Sequence, residues 1–143
     1  KYKPHFLSKE HLDKYWNIVG PFLQAGLFMC EGELDISQLR LLCTQGLVHI
    51  ILIEDIEDNQ IRGAIAIELV NYPNYRVANI VSYGGYYLFA SEEDFTVLKT
   101  ELKKAGISKI QGWCKPAQAR LFKSRLGFST PYEMVRISLE EED

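Results

Sequence analysis

Residues 83–94 hold the densest group of side chains that could do chemistry. The segment begins Tyr-Gly-Gly-Tyr-Tyr, and after three apolar residues Ser91 is followed at once by Glu92, Glu93 and Asp94. Serine is a preferred helix N-cap, and carboxylates in a first turn complement the helix dipole, each by about 0.3–1 kcal/mol. They also repel a nearby phosphate group, by on the order of 1 kcal/mol or more per pair at a solvated surface. The segment therefore predicts a helix that neutralises its own positive end.

Candidate acids and bases outside this segment are isolated, and no catalytic residue is assigned. Glu68 lies in a strand pattern whose buried side is marked by Ile65 and Ile67, so it points to the opposite face, into a cleft or into solvent. Glu54 ends a strand and has the position of a turn residue. Lys123 could donate a proton only if burial lowered its pKa, and an exposed lysine is the commoner case.

The cysteines and histidines do not form a metal-binding pattern. A zinc site needs ligands at short spacings, which these residues lack, so no metal is predicted. The cysteines are odd in number and contain no Cys-x-x-Cys pair, which favours buried, reduced thiols. The residues concerned are Cys30, Cys43 and Cys114, with His5, His11 and His49.

Length and composition predict one soluble domain over residues 1–143. Hydrophobic residues make up 47% of the chain and charged residues 24%, which is ordinary globular usage. No apolar run approaches the roughly 20 residues that span a bilayer, and the start of the chain does not resemble a signal peptide. The expected location is therefore the cytoplasm, without a membrane span.

Charge is distributed unevenly along the chain. Residues 31–58 carry seven acids against one arginine, whereas residues 99–125 carry eight bases against one acid. These regions could attract an anion or an acidic partner, or they could be two ordinary solvated faces. Nucleic-acid binding is disfavoured because the net charge is -3 and no recognition motif is present.

Periodicity and turn residues predict an α/β (α+β) fold with the element order ααβββαβαβ. The expected central sheet is mixed: an antiparallel meander is followed by one parallel crossover. A short strand at residues 2–6 is a weaker prediction because of Pro4. The meander strands are predicted at 47–54, 61–70 and Arg76–Tyr83, the crossover strand at Ile107–Trp113 and the last strand at Pro131–Leu139.

The element order and one sequence segment resemble the GNAT N-acetyltransferase superfamily. Residues 117–128 read Ala-Gln-Ala-Arg-Leu-Phe-Lys-Ser-Arg-Leu-Gly-Phe, which is similar to the family's last helix and its Leu-Gly-Phe ending. The resemblance implies an acetyl-CoA site in a gap between the strands Arg76–Tyr83 and Ile107–Trp113. It places the diphosphate at the start of the crossover helix. The cofactor-binding positions that it implies are Ser82, Tyr83, Gly84, Gly85 and Phe122.

The chain departs from the family pattern at this implied site. The loop after Gly85 lacks the family's basic residue and spaced glycines, and Lys123 stands where many relatives have a catalytic tyrosine. The asparagine that relatives often have at the start of the last helix is also missing, and Lys115-Pro116 lie in its region.

A narrower resemblance, to divergent GNAT-type proteins encoded by tailed bacteriophages, covers nearly the whole chain. It rests on Trp16, Pro21 and Leu23, on Gly63-Ala64, on Asn71-Tyr72-Pro73 and on Gly84-Gly85.

Two functions follow from these observations. The first is a binding or virion-associated structural protein with a degenerate acetyl-CoA site and no expected cofactor. Its expected partners are proteins, for example other virion proteins. In that case the tyrosine-rich segment 83–87 is the expected contact surface, although these tyrosines could also line a pocket or pack in the core. The alternative is an acetyl-CoA-dependent N-acetyltransferase whose diphosphate contacts come from the basic region 99–125.

Overall fold

A five-stranded sheet with the strand order β1-β2-β3-β4-β5 organises the chain in a computed structural model, which describes residues 1–86 and 91–140. The strands are β1 (Tyr2–Phe6), β2 (His49–Asp55), β3 (Ile61–Asn71), β4 (Arg76–Gly85) and β5 (Lys109–Gly112). The α-helices are α1 (Leu12–Gly26), α2 (Ile36–Thr44), α3 (Glu92–Lys104) and α4 (Pro116–Leu126). Short 3-10 helices lie at Lys9–His11 and Leu27–Met29.

The strands form an antiparallel meander followed by one parallel pair. β1 pairs with β2, β2 with β3 and β3 with β4, all antiparallel. The β2–β3 and β3–β4 pairs are antiparallel because their connections are short turns. The next strand, β5, pairs parallel to β4, which requires the longer crossover through α3. α3 is thereby placed against the sheet beside the β4–β5 pair.

The sheet is buried on both faces, and successive side chains of its central strands point alternately into two cores. On β2, Ile51 and Ile53 belong to the core that contains α3, together with Phe95. Ile50 and Leu52 belong to the other core, which contains α1 and α2. Strands covered on both faces are apolar throughout, which explains the nearly continuous apolar sequence of β2.

Helix termini agree with the sequence signals that predict them. Asp35 accepts a hydrogen bond from the backbone N–H of Gln38, and the Gln38 side chain accepts one from the N–H of Asp35. This reciprocal arrangement is a capping box, which satisfies two amides that the helix leaves unpaired. α1 continues through Pro21 as one helix, although proline lacks the backbone N–H that a helix interior uses.

The predicted fold class is confirmed, with one exception near the end of the chain. The strand predicted at residues 2–6 is confirmed as the edge strand β1, which precedes the order ααβββαβαβ. The prediction of a last strand at Pro131–Leu139 is wrong, because the described residues of this segment form no strand. Its alternating pattern favours a strand, but a strand also needs a neighbouring backbone, and the adjacent β5 is separated from residues 129–134 by a cleft.

No described helix is both long and apolar enough to cross a lipid bilayer.

Candidate ligand cleft between β4 and β5

The two parallel strands separate because β4 changes register and outruns β5. The β3–β4 register shifts between the pairs Ala66–Ser82 and Ile67–Ile80, so Val81 is an extra residue on β4. A bulge of this kind bends the strand and increases its twist. β5 pairs with β4 only as far as Ile80–Gly112, whereas β4 continues to Gly85. β4 therefore leaves a gap beyond the end of β5, and the use of this gap by acetyl-CoA stays a prediction.

This gap opens into a cleft of about 1230 Å³ that has both apolar and basic walls. This volume exceeds the roughly 300–1,000 Å³ of most ligand sites. Trp113, which directly follows β5, lines the cleft and is 64% exposed. Four lysines line it as well, from α3, β5 and α4: Lys99, Lys103, Lys109 and Lys123. The uneven charge of the sequence revealed this basic region, but only the fold shows that these four bases share one cleft.

Aromatic rings form a continuous group beside the gap. The rings of Tyr83 and Phe122 pack edge to face with centroids 6.2 Å apart, and Phe122 lies 5.1 Å from Phe128. Phe128 in turn stacks on Phe95 at 5.7 Å. The αL conformation of Gly127 turns the chain so that Phe128 packs back in this way. These contacts attach the end of α4 to α3 and to β4.

The structure brings two of the five predicted cofactor-binding residues into the cleft. Tyr83 and Phe122 line it. Ser82 is fully buried, and its hydroxyl donates a 2.6 Å hydrogen bond to the carbonyl oxygen of Leu23 in α1. A Cβ on Gly84 or on Gly85 would overlap the backbone of a neighbouring element. These three residues have packing roles in β4, and their cofactor role stays a prediction.

The start of α3 is closed by the protein's own side chains. Ser91 Oγ accepts a hydrogen bond from the N–H of Asp94 at 3.2 Å. Oδ2 of Asp94 accepts one from the hydroxyl of Tyr86 at 2.9 Å, and Asp94 is only 6% exposed. Glu93 pairs with Lys1 at 2.6 Å, and this hydrogen bond lowers the pKa of the Glu93 carboxyl. The helix start is thus occupied by carboxylates that are already partnered, as the sequence predicted for this position.

Tyr86 connects this helix start to the edge strand. Its ring stacks on Tyr2 of β1 with centroids 3.5 Å apart. Burial, and secondarily the hydrogen bond to the Asp94 carboxylate, raise the pKa of Tyr86 to about 12. The neighbouring Tyr87, which was predicted to share a contact surface, lies outside the described residues together with residues 88–90.

Of the candidates Glu68, Glu54 and Lys123, only Lys123 lines the cleft. Glu68 is exposed and accepts a 3.3 Å hydrogen bond from the amide of Asn79 on the neighbouring strand. Glu54 lies 2.7 Å from Nε2 of His5, across the β1–β2 pair. Lys123 is exposed and lines the cleft. The described part of the chain contains no group of three or more histidine, cysteine or acidic residues that could hold a metal ion.

The cleft fits the elongated arm of acetyl-CoA better than it fits the diphosphate. An elongated chain could lie between β4 and β5 against Tyr83 and Phe122. The diphosphate, however, would meet Glu92, Glu93 and Asp94 at the described start of α3. Like charges at such short distances are unfavourable, so the residues at the helix start do not fit this group.

Comparison with known proteins supports the fold and leaves the activity open. No family model and no curated protein sequence matches the chain. Among solved structures, the chain is similar to a ribosomal-protein-alanine N-acetyltransferase from Brucella melitensis biovar Abortus 2308, with TM-score 0.66, 11% identity and coverage of 98% of this chain and 100% of that one.

Two further structures show the same similarity. A possible acetyltransferase from Clostridium difficile 630 gives TM-score 0.63 at 12% identity, covering 98% of this chain and 99% of that one. Glucosamine-6-phosphate N-acetyltransferase from Arabidopsis thaliana gives TM-score 0.55 at 13% identity, covering 98% and 99%. Together with the mixed sheet and its parallel β4–β5 pair, these similarities show that the chain has the fold of the GNAT acetyltransferases.

Proposed function

We propose that this protein is a GNAT-fold binding protein that does not use acetyl-CoA and that acts by holding a protein partner in the cleft between β4 and β5. The observation that carries the proposal is the start of α3, where Asp94 is buried against Tyr86 and Glu93 is paired with Lys1. A helix start normally binds anions through unpaired amides and a positive dipole. Here three carboxylates lie in the first turn of the same helix, and the Ser91 hydroxyl already accepts the N–H of Asp94.

The positions of the candidate acids and bases within residues 1–86 and 91–140 support the same proposal. Proton transfer requires a positioned acid or base within hydrogen-bond reach of the reacting group. Among the candidates, Glu68 is exposed and Glu54 is paired with His5 away from the cleft. A cleft in which Glu68 and Glu54 take no part, and whose described lining is rich in aromatic and lysine side chains, is suited to binding rather than to acyl transfer.

A calorimetric titration with acetyl-CoA tests the proposal directly. We expect no saturable heat and no rise in melting temperature at millimolar ligand, because a ligand that binds only the folded state must stabilise it. Saturable binding at micromolar concentration would overturn the proposal.

Charge-neutralising variants test the cause. Glu92→Gln/Glu93→Gln removes two of the three carboxylates at the start of α3, and we expect this variant to gain weak affinity for acetyl-CoA. Glu101→Gln is the matched control, because it makes the same change in the last turns of the same helix, away from the proposed diphosphate position. Equal affinity for acetyl-CoA in the wild type, in Glu92→Gln/Glu93→Gln and in Glu101→Gln would show that the carboxylates do not control access to the diphosphate position.

The lysines of the cleft favour a second candidate function. Lys99, Lys103 and Lys123 could replace the missing helix-start contacts and hold a diphosphate, which would permit an N-acetyltransferase with an unusual anion contact. This candidate predicts that Lys99→Ala/Lys103→Ala abolishes acetyl-CoA binding, while the exposed Lys14→Ala leaves it unchanged.

The biological setting that we propose is a bacteriophage particle. It rests on the residues that resemble phage-encoded GNAT-type proteins, among them Trp16, Pro21 and Gly84-Gly85. A mass-spectrometric inventory of purified particles tests it, since a structural protein must be present at a fixed copy number. If the protein were found only in the soluble fraction of infected cells, the virion role would be rejected.

A further inference from the structure

A second, smaller cavity of about 270 Å³ lies where the end of β1 and the end of α2 meet the start of β2. Its buried lining residues belong to the core that contains α1 and α2, whereas the β4–β5 cleft borders the core that contains α3. Among residues 1–86 and 91–140, the small cavity and the cleft have no lining residue in common. Its volume lies below the roughly 300–1,000 Å³ of most ligand sites, so it suits a ligand of only a few carbon atoms.

The floor of the small cavity is apolar. It consists of Leu12, Cys43, Val48 and Ile50, whose side chains are each at most 4% exposed. The wall formed by the end of β1 is fixed to this floor, because the N–H of Leu7 donates to the carbonyl of Ile50 at 2.9 Å. A hydrocarbon chain placed on such a floor leaves water together with the surface that it covers, which is favourable.

The rim of the small cavity is polar and carries one fixed cation. Ser8, Lys9 and His49 line it, and all three residues are exposed. Lys9 lies over Gly46, since a Cβ built on Gly46 would be 3.8 Å from both Cδ and Nζ of the lysine. Within the part of the chain that the structure describes, the Lys9 ammonium has no ion-pair partner. It is therefore available to a ligand.

The surroundings of Lys9 favour an anion. None of the described residues that line the small cavity is Asp or Glu. The carbonyls of Leu42 and Cys43, near the end of α2, already accept the N–H groups of Leu47 and Gly46, so they are paired rather than turned against a ligand. An ammonium group attracts a carboxylate as a compact charge, and a hydroxyl or an imidazole N–H can donate to it as well.

We infer that the small cavity binds a short-chain aliphatic monocarboxylate, with the carboxylate at Lys9 and the hydrocarbon chain on Leu12, Val48 and Ile50. A single carboxylate matches the single cation of the rim, and an unbranched chain matches the apolar floor. Inorganic phosphate would offer the floor nothing apolar to cover it. This inference goes beyond the proposed function, because the β4–β5 cleft takes no part in it.

Titration of the full chain with butanoate, hexanoate and octanoate, followed by proton–nitrogen NMR at neutral pH, tests the inference. We expect saturable shifts centred on Ser8, Gly46 and Val48, with a dissociation constant for hexanoate on the order of 1 mM or tighter. Each methylene group that enters the cavity should tighten binding about fourfold. Hexylamine, which has the same chain and the opposite charge, should not bind. Hexanoate shifts that do not saturate, or that are centred elsewhere, would overturn the inference.

A charge-removing variant tests the role of the rim. Lys9→Gln keeps most of the side-chain length, and we expect it to weaken hexanoate binding at least about tenfold. The affinity ratio of hexanoate to butanoate should stay that of the wild type, because the floor is unchanged. Lys14→Gln is the matched control, since Lys14 is also exposed but does not line the cavity. Thermal melting establishes that both variants are folded. Wild-type affinity in Lys9→Gln would contradict the placement of the carboxylate.

Alkylation of Cys43 provides a measurement that needs no variant. Cys43 forms part of the floor, whereas Cys30 and Cys114 do not line the small cavity. Hexanoate at about ten times its dissociation constant should slow the labelling of Cys43 by iodoacetamide about tenfold, because the ligand stabilises the closed form in which this thiol is covered. The labelling rates of Cys30 and Cys114 should not change. An unchanged rate at Cys43 would overturn the inference.

The inference and the proposed function fail in different measurements. Binding of acetyl-CoA would reject the proposed function and leave the carboxylate site intact. Failure of hexanoate to bind would reject the carboxylate site alone.

Discussion

Gly84 of β4 lies directly against the backbone carbonyl of Phe22 in α1, so close that a Cβ at position 84 would overlap the carbonyl oxygen. A second contact of the same kind follows one turn later, where a Cβ on Gly26 would overlap the carbonyl oxygen of Tyr83. The helix therefore rests on the strand with backbone against backbone. This close approach fixes the end of β4 that extends beyond β5 and so fixes one wall of the cleft.

We expect Gly84→Ala to lower the free energy of unfolding by about 3 kcal/mol or more. The added methyl group meets backbone, which cannot rotate away as a side chain can, so the helix and the strand must separate. Urea unfolding followed by circular dichroism measures the change. Gly112→Ala in β5 is the control, because its Cβ would meet Ile80 at an ordinary contact distance of 3.4 Å. Equal stability of the two variants would contradict the close packing.

Removal of the Ser82 hydroxyl should destabilise the protein by about 1–3 kcal/mol, the usual cost of a buried acceptor that loses its donor. Ser82 Oγ donates to the Leu23 carbonyl at 2.6 Å, and both residues are fully buried. The N–H of Leu27, four residues after Leu23, donates to the carbonyl of Gln24. The Leu23 carbonyl, near the end of α1, instead accepts a hydrogen bond from the Ser82 hydroxyl. Differential scanning calorimetry of Ser82→Ala measures the loss. Ser138→Ala, at an exposed position, should have the melting temperature of the wild type. A fall in melting temperature as large as that of Ser82→Ala would contradict this explanation.

Alkylation should divide the cysteines into two classes. Burial raises the pKa of Cys43 to about 11, so at pH 8 only about one thiol in a thousand is the reactive thiolate. Cys30 and Cys114 are half-buried, and their pKa values are raised as well, mainly by burial. Iodoacetamide followed by peptide mass spectrometry should label Cys43 most slowly. In urea the three rates should converge, and a fast Cys43 in the folded protein would contradict its burial.

The elements of this fold are readable from the sequence where local chemistry determines them. Ser91 with its following carboxylates predicts the start of α3, and Asp35 with Gln38 predicts the start of α2. The short turns between apolar strands predict the antiparallel meander. In each case the signal and the structure that it predicts lie within a few residues of one another.

The rest depends on contacts between residues that are distant in the chain. Nothing local distinguishes residues 131–139 from a paired strand, because the pattern of a strand is the same whether or not a neighbour is present. The close approach of Gly84 to Phe22 joins residues 62 positions apart, and glycine in a strand has several other uses. For the same reason the sequence revealed that lysines are frequent after residue 99 but not which of them share a cleft.

The hydrogen bond between Tyr86 and Asp94 should make stability depend on alkaline pH. Tyr86 has an ordinary pKa of 10, and burial together with Asp94 raises it to about 12 in the folded protein. Because the folded state holds this proton more tightly than the unfolded state, the stabilisation is complete below about pH 10 and is lost as the pH rises to about 12. Tyr86→Phe should cost about 1 kcal/mol at pH 8, the usual net contribution of a partly exposed hydrogen bond, and its difference from the wild type should shrink between pH 10 and 12.

Urea unfolding of both proteins at half-unit pH steps measures that difference. Tyr132→Phe is the control, since Tyr132 is 87% exposed and should leave stability unchanged at every pH. If the stability difference between the wild type and Tyr86→Phe stayed constant up to pH 12, the pKa of Tyr86 would not be higher in the folded state than in the unfolded state. The Asp94 carboxylate would then not hold the Tyr86 proton, and the closed start of α3 would lose its best-buried contact.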